Sequence, residues 1–322
     1  MTPLKNSDKF GRSAVLAVSA AIWCFTLAGI ANAANAQGVT LGAAADFALL
    51  SDAGPMTLGN SAVILGVSTN VGATYSNIKI GGNNTKIDGD VIATLFENGP
   101  GATIALANYA HVLGACVTDG GAITLGSGAT CGSQDTTNTN PDITLIANAV
   151  DQEEVFDQAV SCEAPTQSIA AIAPAAGKTM TITDTVTGGL NVISTPSIAM
   201  GNSSVLILNG GSTDSVILET AGSISMGFGA KIVLQGGLMA QNVWITSTTE
   251  PAGFNPPASP PSVFINNSSV INGTVHGGDT CTLGSGVTIN GAMICDYGLT
   301  TGPNLRMHFA PATGFSLPGC GF

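Results

Sequence analysis

The chain has 322 residues, of which 44% are hydrophobic and only 9% charged, with 42 glycines and a formal net charge of −12. So few ionisable groups argue against an enzyme with a deep polar site, and the content of Val, Ile and Leu argues against disorder. A counterion-release interface with nucleic acid needs clustered Lys and Arg, which 8 basic residues spread along the sequence do not supply.

At the start, Lys5, Lys9 and Arg12 precede an uncharged apolar run from Ser13 to Ile30 and the small-residue stretch Ala31-Asn32-Ala33-Ala34-Asn35-Ala36. This three-part pattern predicts a cleaved secretory signal over residues 1–36 rather than a membrane anchor. Three of the 8 basic residues and one of the 20 acidic ones lie in it, so its removal takes the net charge from −12 to −14. The mature chain, residues 37–322, is expected to be one domain in an extracellular, cell-surface or periplasmic setting, with no integral membrane segment.

From residue 57 onward one short phrase keeps returning: an apolar residue, Gly, one or two small residues, then a β-branched strand. It reads Thr57-Leu58-Gly59-Asn60-Ser61-Ala62-Val63-Ile64, then Thr124-Leu125-Gly126-Ser127-Gly128, Met200-Gly201-Asn202-Ser203-Ser204-Val205, Met226-Gly227-Phe228-Gly229 and Thr282-Leu283-Gly284-Ser285-Gly286. Strands of three to six residues, broken where positive φ is needed, are what the corners of a β-solenoid require. A sandwich or barrel would favour longer alternating strands. The expected fold class is all-β, a solenoid of three faces with roughly 15 to 22 residues per coil.

Two segments interrupt the pattern. Asn140-Pro141-Asp142 has the cap, proline and early acid of a helix start, and Ile143, Ile146, Ala147 and Val150 follow at helical spacing. A helix is predicted over 141–160, its apolar side continued by Val155, Phe156 and Ala159 and its charged side formed by Asp151, Glu153, Glu154 and Asp157. It should pack along the solenoid. The stretch 246–261 holds five of the fifteen prolines and is predicted to be an extruded loop, since proline cannot donate to a ladder. Six mature cysteines in an exported chain read as disulfides. Cys116 with Cys131 and Cys281 with Cys295 are local pairs, interpreted as staples between adjacent coils, and they leave Cys162 for Cys320.

No motif for covalent chemistry stands out. There is no G-x-S-x-G elbow, P-loop or H-E-x-x-H, and no catalytic residue or cofactor is assigned. His111, His276 and His308 share no metal-ligand spacing and are expected in surface or turn positions. The most distinctive polar run is Thr179-Met180-Thr181-Ile182-Thr183-Asp184-Thr185-Val186-Thr187. On one strand, Thr179, Thr181, Thr183, Thr185 and Thr187 would share a face at about 6.6 Å spacing, with coils repeating at about 4.8 Å. Such a hydroxyl and methyl grid can order water, and these five form the candidate surface-binding set. Threonine is also simply a favourable outward-facing strand residue.

The opening Leu41-Gly42-Ala43-Ala44-Ala45-Asp46-Phe47-Ala48-Leu49-Leu50 resembles the start of the bacterial ice-binding-like family. Gly189-Leu190-Asn191-Val192-Ile193, Gly236-Gly237-Leu238, Asn242-Val243-Trp244 and Ile289-Asn290-Gly291-Ala292-Met293-Ile294 are similar to that family and to the choice-of-anchor A proteins of bacterial surfaces. The resemblance implies a right-handed β-solenoid with a long helix alongside and no catalytic residues. It also implies a partner that is an extracellular surface, a matrix polymer or ice. The Gly-Asp-Leu-Gly-Val phrase typical of the ice binders is missing, which puts a non-enzymatic adhesin-like role first and ice binding second. A polysaccharide-active enzyme comes a distant third.

Overall fold

Each recurring glycine phrase is a corner of a three-faced β-solenoid, and one residue per coil takes a left-handed conformation there. Ser61, Tyr109, Ser203, Ser268 and Asn304, with φ between 54° and 61°, share this corner with Gly128, Gly177, Gly229 and Gly286 at 65° to 68°. The residue before the bend is often Asn, whose side chain then serves the adjacent coil. Asn108 Oδ1 accepts from Ser127 N at 2.8 Å, Asn202 Oδ1 from Phe228 N at 2.9 Å and Asn267 Oδ1 from Ser285 N at 2.8 Å. These bonds satisfy bend amides that no ladder reaches.

The computed structural model describes residues 39–66, 69–95, 101–247 and 262–317, all within one compact unit, Val39–Phe322. The predicted signal and Cys320 lie outside the described residues, as does the proline-rich loop from 248 onward. Thr246 and Ser247, placed in that loop by composition, instead close the strand Val243–Ser247. Among the described residues, no helix is long and apolar enough to cross a membrane.

A nine-stranded sheet forms one face, and a nineteen-stranded sheet wraps the other two. Coils stack in register through parallel ladders. Val270, Thr288 and Arg306 lie directly over one another, which makes those coils 18 residues long. Thr179, Val205 and Lys231 also stack, with 26 residues per coil, beyond the expected range because the strands there run to five or six residues. Alternate side chains point inward and build a continuous apolar interior that includes Ile64, Ile80, Leu106, Leu206, Ile232, Ile265 and Met307.

Both described disulfides join adjacent coils. Cys116–Cys131 and Cys281–Cys295 have Cα separations of 5.9 and 6.0 Å. Neither pair stacks in register, however. Cys131 lies over Val112 and Cys281 over Leu299, so each bridge runs diagonally around a corner between two faces. Their spacings of 15 and 14 are therefore a coil less a few residues, not a coil length.

The helix spans Pro141–Cys162, with Asn140 Oδ1 accepting from Asp142 N at 2.8 Å. It packs on one of the two sides formed by the larger sheet, the helix face, through Ile143, Ile146, Ala149, Phe156, Ala159 and Val160, and leaves the other as the third face. Val155, expected on the apolar side, is exposed, while Glu153, expected on the charged side, is buried. Phe156 meets Trp244 edge-on at 4.9 Å and Phe315 at 5.9 Å. Strands under the helix are buried on both surfaces, which is why they read as unbroken apolar runs such as Val216-Ile217-Leu218 and Val243-Trp244-Ile245.

Chain order and stacking order differ. The first coil, starting at Phe47–Ser51, sits in the middle of the stack, and successive coils wind outward to Thr130–Asp135 at one end. The helix, about 33 Å long, carries the chain back to the other end, where Gln167–Ser168 and Thr179–Thr183 begin a second winding toward the middle. There the last coil pairs with the first: Met293 with Leu49, Thr300 with Thr57 and Arg306 with Val63. Val39 and Leu317 close the join with an antiparallel bridge.

Candidate surface-binding faces

Two faces remain open to solvent. On the nine-strand face, three-residue strands such as Met56–Leu58, Ile198–Met200 and Ile224–Met226 bury their outer residues and present the central one. Register aligns these central residues in one column: Ala199, Ser225, Phe264, Thr282, Thr300, Thr57, Lys79, Ala105 and Thr124. Seven of these nine are Thr, Ser or Ala and none is acidic, so the column is small, uniform and nearly uncharged. At about 4.8 Å per strand it is about 38 Å tall. The row is extended on its entry side by Thr280, Thr103 and Ser223, all exposed.

Glycine follows seven of the nine strands, and these glycines keep the face flat. A β-carbon on Gly59 would lie 2.4 Å from the Gly302 backbone, and one on Gly302 would lie 2.7 Å from Gly284. Those contacts leave no room for a side chain between coils.

The third face carries Thr179, Thr181 and Thr183 on the strand Thr179–Thr183, all exposed. Thr185 and Thr187 do not join them. The strand ends at Thr183, and both lie in the bend that follows, where Asn191 Oδ1 accepts from Thr185 N at 2.9 Å and Val186 N at 2.8 Å. The grid also stops after one coil, because Thr179 and Thr181 are followed by Val205 and Ile207, then by Lys231 and Val233. Further along the Thr179 column come Val270, Thr288, Arg306, Val63, Lys86 and His111. Basic residues that look scattered in sequence are thus stacked here. Arg306 and His308 line a shallow hollow of about 330 Å³ with Asn84 and Asn304.

Of the three histidines, His111 and His308 are exposed as expected, but His276 is 2% exposed beneath the helix. Its ring stacks on Trp244 at 5.8 Å. His276 Nε2 lies 3.0 Å from Glu153 Oε1 and 2.9 Å from Asp296 Oδ1, and Nδ1 lies 2.9 Å from Thr246 Oγ1 and 3.3 Å from Asp157 Oδ1. Burial opposes the charge on His276, but Glu153, Asp157 and Asp296 outweigh it and hold its pKa well above the ordinary value. Burial pushes Glu153 up to about 7 against the pull of His276, and pushes Asp52 up to about 6 against its bond from Thr74. Sequence spacing was the only available guide to this cluster, since Glu153 sits at the helical interval between Ala149 and Phe156.

No protein-family profile matches the chain, and no curated protein does. Solved structures do. The DUF3494 domain of Shewanella frigidimarina ice-binding protein_1 superposes with a TM-score of 0.54 at 16% identity, covering 86% of this chain and 99% of that one. An antifreeze ice-binding protein from an Arctic yeast gives 0.51 at 15% identity, covering 85% and 96%. The fold is that of the ice-binding β-solenoids. The resemblance to the ice-binding-like family thus extends to its architecture, whereas the resemblance to choice-of-anchor A proteins has no counterpart in these two structures.

Proposed function

We propose that this is a secreted, non-enzymatic protein that binds ice through the nine-strand face. The supporting observation is the column from Ala199 to Thr124, in which seven of nine outward residues are Thr, Ser or Ala. Ordering water into a lattice needs methyl and hydroxyl groups at fixed spacing and no strongly hydrated charge, because a charge orients its own shell instead. A parallel sheet stapled by disulfides holds those groups rigid at about 4.8 Å intervals. That both of these solved structures are described as ice-binding proteins favours ice over the adhesin-like reading. The two diagonal disulfides favour an oxidising location.

The test is ice-recrystallisation inhibition by the oxidised mature chain at micromolar concentration. Activity should be present, should be lost in the double variant Thr282→Tyr/Thr300→Tyr and should persist in Thr181→Tyr. Absence of activity in the unmodified chain sinks the reading, and loss in Thr181→Tyr alone moves the site to the third face.

A second reading, adhesion to an anionic matrix polymer, draws on the stacking of Lys231, Arg306, Lys86 and His111 in one column of the third face. Its signature would be binding to carboxylated glycans that weakens steeply with salt.

A further inference from the structure

Beneath the helix, away from both open faces, three acid–base side chains converge in a way that hydrogen bonding leaves incomplete. Thr246 Oγ1 donates to Asp157 Oδ1 at 3.4 Å, so the Thr246 oxygen is free to accept from His276 Nδ1 at 2.9 Å. That fixes a proton on Nδ1 and turns Nε2 toward two carboxylate oxygens, Asp296 Oδ1 at 2.9 Å and Glu153 Oε1 at 3.0 Å. One Nε2 proton can serve Asp296, but not both. Glu153 Oε1 is buried with no hydrogen-bond partner among the described residues, and Glu153 as a whole is only 5% exposed.

We propose that Glu153, His276 and Asp296 form a binding site for a divalent transition-metal ion of the zinc class, which clamps the helix to the solenoid. The three ligand atoms all lie within 4.8 Å of one another. Tetrahedral coordination at about 2.0–2.2 Å separates ligand atoms by roughly 3.3–3.6 Å, so the distances from His276 Nε2 to the two carboxylate oxygens, 2.9 and 3.0 Å, need to open by only about half an ångström. One imidazole with two carboxylates and a fourth position for water is a donor set that suits zinc. The far side of the ring has the arrangement expected behind a ligating histidine, with Nδ1 directed at the Thr246 hydroxyl and the Asp157 carboxylate. Trp244 closes the back of the site by stacking on the ring, and the one-third exposure of the Asp296 side chain gives an ion a route in.

Charge balance points the same way. Asp52, Asp151, Glu154 and Asp157 lie close enough to act electrostatically on Glu153 or on one another. No Lys or Arg pairs with any of them among the described residues, and the one such pair is Lys86–Asp88 on the third face. His276 alone faces this concentration of acids, and a divalent ion would add the missing positive charge.

The experiment uses the oxidised mature chain, stripped with a chelator and dialysed, then titrated with ZnCl₂ by calorimetry and with CoCl₂ by visible absorption. One ion per chain should bind with a micromolar or lower dissociation constant. At a hundredfold excess over that constant, Tm should rise by about 5 °C. Glu153→Gln and Asp296→Asn should abolish binding, whereas Asp157→Asn should weaken it by about 10- to 100-fold while keeping one ion per chain. Circular dichroism of the metal-free variants checks folding, and the wild-type titration decides the matter even if a variant misfolds. The proposal is overturned if the wild-type chain takes up neither ion saturably, or if uptake is unchanged in both ligand variants. In either case the cluster is a proton-held ion-pair latch.

Discussion

The nine-strand face and the third face are built from the same coils by the same parallel ladder, yet they present opposite chemistry to water. The first stacks Thr, Ser and Ala with Phe264 and a single cation, Lys79, in its central column, while the second stacks Lys, Arg and His among Val and Thr. The difference teaches that a solenoid converts register into surface chemistry. A residue matters less for its neighbours in sequence than for what lies one coil above and below it. Thr179, Thr181 and Thr183 belong to the longest alternating threonine run in the sequence and have no threonine in the next coil, whereas Thr282, Thr300 and Thr57 are far apart in sequence and adjacent in space.

The largest effect should come from breaking the flatness of the nine-strand face. Gly302→Ala puts a β-carbon 2.7 Å from backbone atoms of Gly284 and Ser285, which cannot give way as a side chain could. It should cost about 1–3 kcal/mol in urea unfolding and abolish ice activity together. Placing a charge in the column without moving the backbone separates these two outcomes. Thr300→Lys should cut recrystallisation inhibition by at least tenfold with Tm nearly unchanged, and an active Thr300→Lys would show that charge-free chemistry is not the requirement. The mirror experiment on the third face, Lys86→Thr with Lys231→Thr and Arg306→Thr, should leave ice activity within twofold and remove any salt-sensitive polymer binding. The smallest effect should follow from Phe264→Thr, which evens out the column and should raise inhibition by about twofold.

Much of this architecture was legible in sequence because its signals are local. The Gly-Asn-Ser phrases mark the left-handed corner, Asn140-Pro141 marks the helix start, and the short cysteine spacings identify the two bridges found among the described residues. What escaped were the non-local features. Thr185 and Thr187 continue the alternation in sequence, but the chain bends after Thr183 because Asn191 captures the amides of Thr185 and Val186. Glu153 and His276 look like surface residues until the helix is laid on its face, since each has its partner on another element. The column of the nine-strand face was hidden by steps of 18 to 39 residues between successive members of each winding, which scramble any fixed period.

The pairing of the first coil with the last has a consequence for how the molecule is made. In stacking order the solenoid is uninterrupted, as if a continuous spiral had been cut across its middle and its two outer ends tied together by the helix. A ribosome therefore releases the central coil first and its upper neighbour last. Until residues 293–308 arrive, the edge formed by Phe47–Ser51, Met56–Leu58 and Val63–Leu65 is an unpaired template, open to pairing with another chain. A circular permutant that begins at Asn140, with Leu317 linked back to Val39 across their existing bridge, would keep every ladder and make all of them sequence-local. By the dependence of folding rate on contact order it should fold faster to the same structure, with fewer losses to aggregation.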